Sequence, residues 1–319
     1  LALAGEDEAG EDQGLGPGPA LGKAAIDEQL IGARLGHGRF LAYRTRLSNA
    51  EADMTSSDSI FSGSIAALYD RLLVPTTFRP YAEDLARRVA AAAPTAIVET
   101  AAGTGIVTEA IARAVPGARL VATDLNQAML DVGAARIASP LVSFRQADAQ
   151  ALPFADASLD VVACQFGAMF FPDRLLAYRE ARRVLRPGGC FLFNVWDRIE
   201  ANPVTDLAAR AVAALFPDDP PDFFARVPFG YHDIAQVEAD LRAAGFADIE
   251  AETVTMRCRA GSAREAADGL CRGTPLRSEI EARGSLDAAA DAAAAALAPL
   301  GGADGLDAPM SAHVFSARR

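Results

Sequence analysis

The chain has 319 residues, is 51% apolar, and carries a formal net charge of −12. That is enough for one large core or two small ones. The acidic balance, with no basic cluster along the sequence, argues against nucleic acid as a partner, because phosphate binding needs concentrated positive charge.

Lys23 is the only lysine, and arginine carries nearly all the positive charge. Cys164, Cys190, Cys258 and Cys271 lie far apart and form no C-x-x-C pair. With His37, His232 and His313 equally scattered, no metal site is expected. The cysteines read as small core residues in a reducing compartment. No run of about 18 apolar residues would span a membrane. The first residues lead into acid, not into a basic-then-apolar leader. A cytoplasmic protein is expected.

Residues 1–53 are rich in Gly, Asp and Glu and lack periodicity, so they read as a disordered tail. The first methionine is Met54, and the segment is expected to precede the true start; a regulatory tail is the other reading. Residues 54–319 are expected to form one domain. Near its start stand Tyr69, Phe78 and Tyr81, which either line a pocket or belong to the core. A helix is predicted over 82–92.

The rest of the domain is organised around the stretch 96–108. A β-branched strand, Ala96–Val98, leads past Glu99 into Ala101, Ala102, Gly103 and Gly105, and then into a helix over 106–115. Small residues there let the backbone turn sharply against a ligand, with free N–H groups at the helix start. The turn suits a nucleotide-like cofactor but lacks the third glycine of the dinucleotide fingerprint, which counts against NAD or FAD.

Strands are predicted at 119–124, 142–147, 160–165 and 190–196, with helices at 126–138 and 173–184 between them. Such alternation means a parallel sheet with helices on both faces and the strand-to-helix loops along one edge. After Trp196 the rhythm loosens. Residues near 200–232 read as a lid-like insertion rich in Pro and Phe, followed by a helix at 233–244 and a strand at 249–257. Helices at 262–271 and 275–297, the second interrupted at Gly284, precede a last strand at 311–317.

Three polar residues fall at the predicted strand ends. Asp124 stands 19 residues beyond Gly105, where an acid accepts hydrogen bonds from ribose hydroxyls. Asp148 follows the third strand, placed for an adenine amine, and Gln165 ends the fourth. Singly, each is also an ordinary solvated loop residue.

Glu99-Thr-Ala-Ala-Gly-Thr-Gly105, Ala122-Thr-Asp-Leu-Asn126, Ala147-Asp-Ala-Gln-Ala-Leu-Pro-Phe154 and Leu185-Arg-Pro-Gly-Gly189 together resemble the successive motifs of class I S-adenosylmethionine (SAM)-dependent methyltransferases. The branch most similar is the ubiquinone/menaquinone-biosynthesis type. The resemblance is strong over 96–197. It implies a Rossmann-like, seven-stranded sheet, mostly parallel with an antiparallel last strand. It also implies SAM as cofactor and methyl transfer to a small-molecule acceptor by direct in-line displacement.

Carried over residue by residue, Glu99 orients the turn and the cofactor's amino group. Ala101, Gly103, Thr104 and Gly105 wrap the methionine part. Asp124 holds the ribose, Leu125 packs near adenine, Asp148 and Ala149 meet the adenine edge, and Gln165 adds a contact. Glu99 replaces a more usual Asp, and the quinone enzymes' N-terminal signature is not reproduced around Tyr69–Tyr81. For the acceptor, Tyr69, Tyr231 and His232 are the candidates, His232 as a base if a hydroxyl is methylated. The rival readings are a Rossmann-type NAD(P) oxidoreductase and a non-catalytic SAM-binding protein.

Overall fold

Side chains alternate between two faces of every parallel strand, and that alternation builds the sheet. A computed structural model describes residues 64–319. The expectations for the tail, 1–53, lie outside the described residues. Helix α1 (Ser64–Leu68) continues through a π-helical stretch, Tyr69–Phe78, into α2 (Arg79–Ala91). Pro75, inside the π-helical stretch, has no N–H to give. The hydroxyl of Thr76 donates to the Leu72 carbonyl at 2.7 Å in the same turn.

Then come β1 (Ala96–Glu99), α3 (Ile106–Ala114), β2 (Arg119–Asp124), α4 (Gln127–Arg136), β3 (Val142–Gln146), β4 (Leu159–Gln165), α5 (Arg174–Val184) and β5 (Leu185–Trp196). The side chains of Asn126 and Asp173 cap α4 and α5 by accepting from backbone N–H groups at 3.0 and 2.8 Å. The second half holds α6 (Pro203–Ala213), α7 (Phe223–Arg226), α8 (Ile234–Ala243), β6 (Ala247–Ala260), α9 (Ala263–Arg272), α10 (Leu276–Arg283), α11 (Leu286–Leu297), the two-residue β7 (Gly301–Gly302) and β8 (Gly305–Arg318).

The strand order is β3-β2-β1-β4-β5-β8-β6, with β7 paired to β8 alone. Strands β1 to β5 run parallel. The last strand, β8, runs antiparallel to both β5 and β6. The expected mostly parallel sheet is therefore present, with β7 as an addition. Val161 and Ala163 of β4 face one core, against Leu85 of α2 and Ile111 of α3. Val162 and Cys164 face the other, which holds Phe191 and Phe193 of β5 and the helices of the second half.

Two boundaries differ from expectation. β5 begins at Leu185 because Leu185 already pairs with Leu159; the Pro-Gly-Gly segment then bulges through the left-handed Gly188, and pairing resumes at Cys190 opposite Val161. β8 begins at Gly305, although Pro309 suggests a break. Up to Ser311, β8 pairs only with β6 in the main sheet, so Pro309 needs no donor toward β5. The strand order changes direction between the parallel neighbours β1 and β4, and this opens a crevice at the carboxyl ends of the strands.

Candidate functional site: a crevice at the strand ends

From Glu99 the chain must turn into α3 within a few residues. Ala101, Gly103 and Gly105 all adopt left-handed backbone, with φ of 51°, 54° and 80°. Glycine takes this conformation freely; alanine does so at a cost of about 1 kcal/mol or more. Several side chains pin the turn. Asp124 accepts from the Gly103 and Asn126 N–H groups, each at 2.8 Å. Arg136 donates to the Thr104 carbonyl at 2.6 Å and pairs with Asp70 at 3.1 Å. The Thr123 hydroxyl donates to the Glu99 carbonyl at 2.8 Å.

The turn borders a cavity of about 620 Å³, within the usual range for small-molecule sites. Of the residues expected at the cofactor, Ala101, Gly103, Asp124, Leu125, Asp148, Ala149 and Gln165 line it. Leu125 leaves 60% of its surface exposed there, an apolar side chain with nothing over it. Asp148 accepts from the Gln150 N–H at 2.8 Å, which fixes its carboxylate. Gln165 donates to the Phe78 carbonyl at 3.2 Å, while its own buried carbonyl oxygen has no partner among the described residues.

Glu99, Thr104 and Gly105 do not line the cavity. Glu99 is buried beneath the turn and accepts from the Thr108 hydroxyl at 2.6 Å. Burial pushes its carboxyl up to about 8, despite that bond. Burial raises Asp124 as well, against the pull of its backbone hydrogen bonds. Gly105 meets Ile137 and Gly133 instead of the cavity, so it serves helix packing.

The acceptor candidates separate. Tyr69 lines the cavity, and burial holds its hydroxyl protonated. Tyr231 is core instead. Its hydroxyl donates to Asp240 at 2.5 Å and sits 3.4 Å from that of Tyr178, while the Arg174 guanidinium lies 4.3 Å over its ring. His232 is exposed, with Nδ1 2.8 Å from the Phe229 carbonyl. Neither lines the crevice. Among the described residues, no three His, Cys, Asp or Glu side chains converge as metal ligands, and no helix is long and apolar enough to cross a membrane.

Several site residues escape the sequence reading. A Cβ on Gly167 would lie 2.4 Å from that of Ala101, so only glycine lets the β4 loop pass the turn. Phe166 before it is left-handed, at φ 50°. Gly133 lets α4 approach the Thr104 carbonyl, where a Cβ would sit 3.1 Å away. It permits the close packing that a third fingerprint glycine would give, but from a different helix. The available signal was Gln165-Phe-Gly and Phe170-Phe-Pro, an aromatic loop at the ligand edge of the sheet.

Comparison with known proteins agrees with this geometry. A family model described as a methyltransferase domain matches residues 98–193. A demethylmenaquinone methyltransferase of Clavibacter sepedonicus is 33% identical over 185 residues, 53% of this chain and 72% of that protein. A ubiquinone/menaquinone biosynthesis C-methyltransferase of Hahella chejuensis is 38% identical over 117 residues, 35% of this chain and 47% of that protein. The chain thus spans about half the length of the Hahella relative. The crystal structure of the YcgJ protein of Bacillus subtilis shares the fold at 20% identity with a TM-score of 0.50, covering 75% of this chain and 99% of that one.

The chain belongs to the class I SAM-dependent methyltransferase family. Within that family it is similar to the ubiquinone/menaquinone-biosynthesis branch. The oxidoreductase alternative falls with this assignment.

Proposed function

We propose that the protein transfers a methyl group from SAM to a small-molecule acceptor by direct in-line displacement. The observation that carries the reading is the set of crevice groups. Asp124 offers a carboxylate toward a vicinal diol, Leu125 an uncovered apolar surface beside it, Asp148 an acceptor for an exocyclic amine, and Gln165 an oxygen lacking a donor. These chemistries fit the ribose, adenine and amino-acid parts of SAM. Glu99 acts from below, holding the start of α3 through Thr108.

When bound, SAM supplies a methyl group already activated on a sulfonium. The chain has then to exclude water and hold the acceptor in line, which accounts for about 7–11 kcal/mol of a barrier. No protein base is assigned, since His232 does not line the crevice. The four buried thiols suit a reducing compartment, and we place the protein in the cytoplasm on that reading. Calorimetric titration is expected to give one SAM bound per chain and no heat with NADH. Tight NADH binding without SAM binding would sink the proposal.

A further inference from the structure

The acceptor needs a seat, and the crevice leads to one. A second cavity of about 80 Å³ adjoins it, and Tyr69, Phe166 and Phe170 stand in both walls. This chamber is lined without any Asp, Glu, Lys, Arg or His. A charged group entering it would shed its water and meet no opposite charge. Several of its rings also have one face already covered by another ring. Trp196 is stacked on Phe166 at 3.8 Å and on Phe229 at 5.8 Å, and Tyr69 is stacked on Phe78 at 5.1 Å.

Three threonines contribute hydroxyls. Thr274 donates to the Leu270 carbonyl at 2.7 Å, and Thr77 is 3.2 Å from the Thr76 hydroxyl. The Thr205 hydroxyl has no hydrogen-bond partner among the described residues. Thr205 lines the chamber but not the crevice, so it stands at the end away from the cofactor. It also borders a smaller void of about 30 Å³ beyond. At about 80 Å³ the chamber is smaller than the roughly 150 Å³ cavity that takes up benzene. No more than one ring is therefore held in it, with one edge in the crevice mouth.

Resting on the reading of the crevice as the SAM site, we propose that the chamber seats an uncharged, single-ring acceptor with a hydrogen-bonding oxygen on the side away from the methylated atom. Thr205 is the positioning residue that meets that oxygen.

Trp196 is the chain's only tryptophan, so its emission reports on the chamber directly. The full chain, saturated with SAM, is titrated with phenol, toluene, benzoate and benzylammonium at pH 7. Phenol is expected to change the emission saturably, with benzoate and benzylammonium at least tenfold weaker. Thr205→Val, which keeps the shape, is expected to weaken phenol at least threefold and leave toluene unchanged, a selectivity that a general packing defect would not produce. A charged probe binding as tightly as phenol, or no saturable change with any probe, overturns the chamber proposal. An unchanged phenol-to-toluene ratio in Thr205→Val overturns the role of Thr205. Calorimetry on the same sample keeps the two readings apart. Failure of the wild type to bind SAM overturns the cofactor reading, whereas silent probes with SAM bound overturn the chamber alone.

Discussion

The crevice and the chamber share a wall but are built by opposite means. The crevice joins the small residues of the turn and the polar side chains at the strand ends to an apolar wall that includes Leu125, Met129 and Phe171. Its turn is held by Asp124, its left-handed positions fall within five residues, and its acids end consecutive strands. The chamber is made of rings drawn from the π-helical stretch, the β4 loop, the end of β5 and the segment 223–229, closed by Leu270 of α9. One region depends on local geometry, the other on packing among segments far apart in sequence. Each should therefore fail separately when perturbed.

The largest expected effect falls on the crevice alone. Asp124→Ala removes the proposed ribose carboxylate and the anchor of the Gly103 N–H. Charge-assisted hydrogen bonds contribute about 1.5–3 kcal/mol each, so SAM affinity should fall at least tenfold by calorimetry. The response of Trp196 to phenol should persist without SAM. If the chamber signal disappears together with SAM binding, the two regions are one unit and the contrast is wrong.

Next comes the buried carboxyl beneath the turn. Glu99 is raised to about 8, so between its ordinary value of 4.5 and about 8 the folded protein holds a proton that the unfolded chain has released. Stability without cofactor should fall as pH rises through that window and level off above it, at about 1.4 kcal/mol per pKa unit. Asp124, raised by burial too, works in the same direction. Thermal midpoints measured from pH 5 to 9 should show the slope in the wild type and a much flatter profile in Glu99→Gln. Equal slopes in both proteins would place the titrating group elsewhere.

Gly167 lies in the crevice wall, next to Phe166, which belongs to both regions. Gly167→Ala forces a Cβ against Ala101 and the Cys164 sulfur, and overpacking of this kind costs about 1–3 kcal/mol. A lowered melting temperature should accompany weaker binding of both SAM and phenol. Damage confined to one ligand would show that the wall is not shared. The smallest effect is expected at His232. His232→Ala should lower single-turnover transfer by less than the roughly 10²–10⁴-fold typical of a lost acid–base group, and chelator should leave transfer untouched. A larger loss with SAM affinity intact would make His232 catalytic.

The same contrast explains what the sequence disclosed. Strands and helices from 96 to 196 were legible because their alternation and glycines act over a few residues, and Asp124 and Asp148 come after strands whose ends can be read directly. Tyr231 was misplaced because an aromatic in a Pro- and Phe-rich segment looks the same whether it faces a cavity or, as here, Asp240 and Tyr178. Gly133 and Gly167 were passed over because their need for glycine arises from backbone and side chains of other elements. Helix α9 gave no hint of closing the chamber, since its periodicity shows an apolar stripe but not what that stripe meets.

Only Tyr69, Phe166 and Phe170 belong to both cavities. Substitution in the rest of the chamber wall, at Phe223, Thr205 or Leu270, can therefore change which molecule is admitted while the nucleotide-binding turn keeps its inherited form. In a lineage under selection for a new acceptor, change can accumulate on one side of this seam without passing through intermediates that have lost the cofactor. The three common side chains are the places where such drift meets resistance, because each stands in both walls.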